Sequence, residues 1–127
     1  IPEEVKKFWP GPLTVIVPRR FQTPIYVGSE KHTVGIRCPK YEFVRDIAKE
    51  VGPLSVTSAN PSGVATPQTA LEVAEQLENN LLVIDGGSCS GQPSTLVELS
   101  SSGSKILRLG EISEQELSEA GLIGNGG

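Results

Sequence analysis

TVGIRCPKYEFVRDIAKEVGPLSVT, running from Thr33 to Thr57, is the stretch that decides the fold. Its first six residues alternate. Thr33, Gly35 and Arg37 share one face while Val34, Ile36 and Cys38 share the other, as in a strand with one buried side. Pro39 closes that strand. From Tyr41 to Val51 the apolar residues Phe43, Val44, Ile47, Ala48 and Val51 recur at i, i+3, i+4 spacing, which predicts an amphipathic helix. Gly52 stops it and Pro53 prevents its continuation. Leu54 to Thr57 then reads as a second strand. Strand, helix and strand in direct succession favour an α/β layer architecture.

The elements upstream fit this frame. Glu3 to Phe8 reads as the end of a helix, stopped before Pro10-Gly11-Pro12. Leu13 to Val17 is β-branched and nearly all apolar, a strand closed by Pro18, with Arg19-Arg20 at its exit. Gln22 to Lys31 is irregular, broken by Pro24 and Gly28.

Downstream of Thr57, hydroxyl and amide side chains crowd the turn Ser58-Ala59-Asn60-Pro61-Ser62-Gly63. Thr69-Ala70-Leu71-Glu72 has capping-box spacing and opens a helix with Leu71, Ala74 and Leu77 inward, ended by Asn79-Asn80. Leu81 to Asp85 follows, and its continuous apolar run predicts a central strand covered on both faces. Gly86 to Gly91 is a loop expected to need positive φ. Ser94 to Leu99 and Lys105 to Leu109 form a hairpin across the turn Ser100 to Ser104. A second capping box, Ser113-Glu114-Gln115-Glu116, opens a short helix, with Ile112 placed to staple onto Leu117. The tail from Gly124 to Gly127 is expected to be disordered.

Composition narrows the functional classes. The 127 residues hold one domain at most, and the chain has no methionine, even at position 1. We therefore expect a piece of a longer protein. No apolar run approaches the length of a membrane span, and no secretory signal is visible; a cytoplasmic location is expected, or an organellar one in a eukaryote. The formal charge of −4 hides an asymmetry: residues 1–50 carry nine Lys/Arg against six Asp/Glu, and residues 51–127 two against nine. The acidic half argues against a generic nucleic-acid coat, while the basic half leaves room for a local anion site. Cys38 and Cys89 lack metal-ligand spacing and His32 is the only histidine, so no metal site is expected. Free thiols are the expected state of both cysteines, with a disulfide as the alternative.

Ser58 and Asn60 in one turn, the hydroxyl cluster Pro93-Ser94-Thr95, and Arg37 and Arg108 at strand ends together make the candidate site. Serine, asparagine and arginine on strand ends and loops are what a site for a phosphate and a carboxylate would use.

Five blocks in this order resemble one family: Phe8-Trp9-Pro10-Gly11-Pro12-Leu13-Thr14, Gly35-Ile36-Arg37-Cys38-Pro39, Ser58-Ala59-Asn60-Pro61-Ser62-Gly63, Pro93-Ser94-Thr95-Leu96-Val97 and Leu107-Arg108-Leu109-Gly110. They resemble the Sua5/YciO/YrdC family from Pro2 to about Ser113. The resemblance implies an α/β fold, a twisted mixed sheet with flanking helices around a concave cavity, whose N-terminal part lies upstream of Ile1. Residues 1–113 would be the C-terminal part of that domain, and residues 114–127 a C-terminal helix and tail.

It also implies an activity, L-threonylcarbamoyladenylate synthase. L-threonine, bicarbonate and ATP become threonylcarbamoyl-AMP and pyrophosphate, and a separate transferase complex modifies tRNA. By position, Arg37, Ser58 and Ser94 would contact threonine, and Thr33, Asn60, Gln68 and Arg108 would contact ATP, which brings Mg²⁺. No residue is assigned as a general base. The family's upstream part carries a Lys-x-Arg motif, and no Lys-x-Arg occurs in this sequence. The activity is therefore expected of the parent protein, and this chain is expected to be an inactive partial site. The alternatives are a carbamoyl-adenylate-forming domain of a hydrogenase maturation protein, a double-stranded RNA or tRNA-binding module, and a non-catalytic scaffold.

Overall fold

The computed structural model describes residues 1–20, 32–61, 63–77, 81–89 and 91–124. The expectations for Gln22 to Lys31, Ser62, Asn79-Asn80, Ser90 and the last three residues lie outside that set. The chain divides into two compact units, residues 1–55 with 93–127, and residues 56–92.

The first unit is built on a four-stranded mixed sheet of order β2-β1-β3-β4. Its strands are β1 (Leu13–Pro18), β2 (Thr33–Arg37), β3 (Thr95–Ser100) and β4 (Gly103–Arg108). Central β1 runs antiparallel to β2 and parallel to β3, and β3 pairs antiparallel with β4. Alternation divides the sheet into two unlike faces. Leu13, Val15 and Val97 are fully buried on one of them, clustered with Val5, Ile112, Leu117 and Leu122. A 3₁₀ turn (Glu3–Lys7), where the sequence suggested the end of a helix, brings Val5 to this core. The short helix α3 (Glu114–Glu119) brings Leu117, and its predicted capping box forms in full.

The opposite face carries Thr14 and Ile16 of β1, which pair with Arg37 and Gly35 of β2. Leu96 of β3 lies beside Thr14, and Arg108 of β4 is opposite Leu96. Regular alternation from Ile106, which pairs with Val97 on the core side, would have sent Arg108 to the core. The register shift at Leu96/Val97 puts it on the other face, as a bulge re-aims a side chain.

Helix α1 (Glu42–Val51) forms where the apolar spacing predicts it, but none of its residues is buried. The second unit contains α2 (Ala70–Gln76), capped by Thr69, whose hydroxyl accepts from the Glu72 amide. Positive φ occurs at Gly87 and Gly91, as expected of the glycine-rich loop. Cys38 and Cys89 are free thiols, the first half-buried and the second exposed.

Three expectations need correction. Leu54 to Thr57 is not a strand, and its residues are exposed. Leu81 to Asp85 is not a central strand either: Leu82 is 90% exposed and Ile84 64%. Leu71 and Ala74 of α2 point outward, Leu71 being 69% exposed. An apolar run becomes a strand only when neighbouring strands take up its N–H and C=O groups. Among the described residues no strand pairs with either run.

Candidate functional site

The open face of the sheet gathers polar side chains from three strands and from the residue that leads into the fourth. Across the order β2-β1-β3-β4 it presents Arg37, Thr14, then Ser94 just ahead of β3, and Arg108. With strands about 4.8 Å apart, the two arginine backbones bracket a width of about 14 Å. Ser94 is nearly buried and Thr14 half-buried, and their hydroxyl oxygens lie 2.7 Å apart.

Each arginine is anchored by one edge. Arg37 Nε donates to the carbonyl of Gly11 at 3.2 Å, and among the described residues its two terminal nitrogens have no partner. Gly11 also donates its own N–H to the carbonyl of Cys38 at 2.9 Å, so the Pro10-Gly11-Pro12 loop is tied to the end of β2. A side chain at position 11 would collide with the carbonyl of Phe8. On the other flank, Arg108 donates through Nε and Nη2 to the Ser94 carbonyl, and Nη2 also reaches the Ser94 hydroxyl at 3.4 Å.

Behind Ser94 the chain is clamped. The buried Thr95 hydroxyl donates to the carbonyl of Ile112 at 2.6 Å and accepts from the amides of Gly110 and Ile112. A Cβ at Gly110 would run into the carbonyls of Pro93 and Ser94. Close backbone packing, which only glycine permits here, thus fixes where Ser94 stands.

Thr33 also lies on the open face, at the far end of β2 from Arg37 and about 13 Å along the strand. Its carbonyl accepts from Arg19 Nη2 at 3.1 Å. The first unit therefore brings Arg37, Ser94 and Arg108 onto one face, with Thr33 at its margin.

Ser58, Asn60 and Gln68 belong to the second unit. There the Thr57 hydroxyl accepts from the Ala59 amide at 2.9 Å, and Ala59 takes a positive φ of 58°. Asn60 Nδ2 donates to the carbonyl of Val64 at 2.6 Å and, more weakly, to that of Pro61. Its Oδ1 is sealed from solvent and has no partner among the described residues. Asn60 thus ties its side chain to the chain that follows it, and Ser58, two residues before, is exposed. Gln68 joins the start of α2 to the glycine-rich loop. Its amide donates to the Glu72 carboxylate and its carbonyl accepts from the Cys89 amide.

Three positions that the sequence reading quoted only within longer blocks, with no role of their own, matter here: Thr14, and the two glycines at 11 and 110. Thr14 had a signal. It is the single hydroxyl in an apolar strand, on the face opposite Leu13 and Val15. The glycines had no local signal of their roles, which depend on backbone brought close by the fold. Among the described residues no three His, Cys, Asp or Glu side chains converge as metal ligands, and no helix is long and apolar enough to cross a membrane.

Comparison with known proteins shows the family. The family model Sua5_yciO_yrdC, described as telomere recombination, matches residues 2–110. A threonylcarbamoyl-AMP synthase of Pyrococcus abyssi is 35% identical over 124 residues, spanning 92% of this chain and 36% of the relative. Another, from Pseudomonas fluorescens, is 37% identical over 93 residues, spanning 72% of this chain and 50% of the relative. The crystal structure of P. abyssi Sua5 complexed with L-threonine superposes with a TM-score of 0.83 at 34% identity, covering 97% of this chain and 38% of that one. E. coli YciO superposes with a TM-score of 0.75 at 25% identity, covering 89% and 57%. The chain thus spans between 36% and 57% of the length of these relatives.

Proposed function

The chain belongs to the Sua5/YciO/YrdC family, and from that premise we propose that it supplies part of the substrate site of an L-threonylcarbamoyladenylate synthase. The observation that carries this reading is the row Arg37, Thr14, Ser94 and Arg108 on one open sheet face, in a chain that resembles a Sua5 crystallised with L-threonine.

In the proposed reaction the threonine amine joins the carbon of bicarbonate with loss of water. The carbamate oxygen then takes the α-phosphate of ATP, and pyrophosphate leaves. Arg37, held at Nε, turns its terminal nitrogens to the threonine carboxylate, where a planar fork suits two oxygens. The Ser94 hydroxyl orients the amino acid, and Arg108 faces the nucleotide with Thr33 as a further ATP contact. By the family resemblance alone, Ser58 of the other unit would be a threonine contact, and Asn60 and Gln68 ATP contacts. Asn60 would serve by shaping its turn, because its amide nitrogen is already spent on Val64 and Pro61. With no general base assigned, the rate enhancement would come from positioning and charge stabilisation. Mg²⁺ would arrive with the triphosphate, whose phosphates supply most of its ligands. The product would pass to a separate tRNA-modifying complex in the cytoplasm.

Titration calorimetry of ATP and L-threonine with the full-length protein and with this chain tests the reading. We expect the full-length protein to bind both, and to release pyrophosphate only when threonine and bicarbonate are present. Turnover with carbamoyl phosphate in place of threonine and bicarbonate would replace the reading with that of a hydrogenase-maturation enzyme. No binding of either substrate would refute it.

A further inference from the structure

We propose that Thr14 is a binding residue of this site, and that Thr14 and Ser94 act as one unit presenting a single hydroxyl proton to an oxygen of the amino-acid substrate. This rests on the reading of the site as a threonine site.

Eighty residues apart in sequence, the two hydroxyl oxygens meet at 2.7 Å because β1 and β3 run parallel in adjacent register. Two hydroxyls have two protons between them, and one is used in their mutual bond. Arg108 Nη2 lies 3.4 Å from the Ser94 oxygen and directs positive charge at it. A donor at that oxygen polarises the Ser94 O–H, so the favoured order is arginine to serine to threonine, each bond strengthening the next. The chain ends at the Thr14 proton, on the open face beside Arg37, its partner across β2. A cation and a hydroxyl proton side by side suit the oxygens of a carboxylate or of an amino-acid hydroxyl.

The space above Thr14 is kept clear by its other neighbour. Gly35 is exposed on the same face, and a Cβ there would stand 3.3 Å from Ile16 Cδ1 and 3.5 Å from Thr14 Cγ2. A larger side chain would cover Thr14 without removing its hydroxyl.

The test is calorimetry of L-threonine and, separately, ATP on the full-length protein, for wild type, Thr14→Val, Thr14→Ser, Ser94→Ala and the Thr14→Val/Ser94→Ala pair. Thr14→Val should weaken threonine binding about tenfold, the loss of one hydrogen bond, and Thr14→Ser should restore it. The double variant should be little worse than either single one, and ATP affinity should move far less. Unchanged threonine affinity in Thr14→Val, or additive losses in the pair, would overturn the proposal while leaving the threonine site intact. A wild-type protein that binds no threonine would overturn the site reading and this proposal with it. If Thr14→Val does not fold, Gly35→Val decides. Blocked threonine binding supports the proposal, and wild-type affinity in that variant overturns it.

Discussion

Arg108 closes on the Ser94 carbonyl with two donors, Nε at 3.2 Å and Nη2 at 2.9 Å. The guanidinium therefore has a structural edge, which locks the residue before β3 to the end of β4, and a remaining Nη1 for a ligand. Lysine has the charge but not the fork. Arg108→Lys should weaken ATP binding in the full-length protein by roughly 1.5–3 kcal/mol, the range for a hydrogen bond to a charged group. Threonine affinity should fall as well, since Ser94 loses its tether. Calorimetry with both ligands checks this, and a variant that alters neither affinity would remove Arg108 from the site.

Among the described residues Arg37 is held by a single hydrogen bond, to Gly11, and it is exposed. Its removal should leave the fold intact and act on the ligand alone. Arg37→Ala is expected to cost threonine binding roughly 1.5–3 kcal/mol and to change the melting temperature little. A large fall in melting temperature with normal threonine affinity would mark Arg37 as a structural residue instead.

How much was legible from sequence follows from what each signal measures. β1, β2, the β3–β4 hairpin and the α3 capping box are local patterns that also have partners in the structure, and they appear where the sequence puts them. Leu54 to Thr57 and Leu81 to Asp85 carry the same apolar signal, but hydrophobicity reports a tendency to be buried and says nothing of which strand pairs alongside. The site was legible in part. Strand alternation put Thr33 and Arg37 on one face, but the register shift that turns Arg108 to that face involves the β3–β4 pairing and has no local signature.

The same contrast can be measured. Val97 is fully buried in the cluster with Leu13 and Val15, while Val83 is 40% exposed. Val97→Ala should destabilise by about 1–3 kcal/mol through the cavity it leaves. Val83→Ala should stay within about 0.5 kcal/mol, as surface changes do. Urea unfolding of the two variants checks both values, and equal losses would mean that residues 81–85 are packed in solution.

Thr95 offers a test of the clamp behind the site. Its hydroxyl, fully buried, has three partners: the Gly110 and Ile112 amides and the Ile112 carbonyl. Thr95→Val keeps the shape and leaves those groups without a partner, at a cost on the order of 1–3 kcal/mol for each that stays buried. We expect a loss of at least about 2 kcal/mol in unfolding free energy. A neutral variant would show that the 110–112 turn is not fastened by this residue.

Glu116 gives the fold a pH dependence whose direction can be worked out. Its carboxylate accepts from the Ser113 backbone amide at 2.8 Å and from the Ser113 hydroxyl at 2.9 Å. The backbone bond chiefly, and the hydroxyl bond after it, hold its pKa below the ordinary value of 4.5. Both bonds favour the charged form, so the folded chain binds this proton less readily than the unfolded chain does. The contribution is therefore fully present above the unfolded pKa and is lost as pH falls through the lowered folded value. Glu116→Gln keeps an acceptor in the capping box but cannot titrate. Denaturation midpoints measured from neutral pH down into the acid range should show the wild type ahead at neutral pH. That lead should shrink only below the usual glutamate range. A difference between the two proteins that stays constant down to the lowest pH would show that the charge on Glu116 adds nothing to the cap.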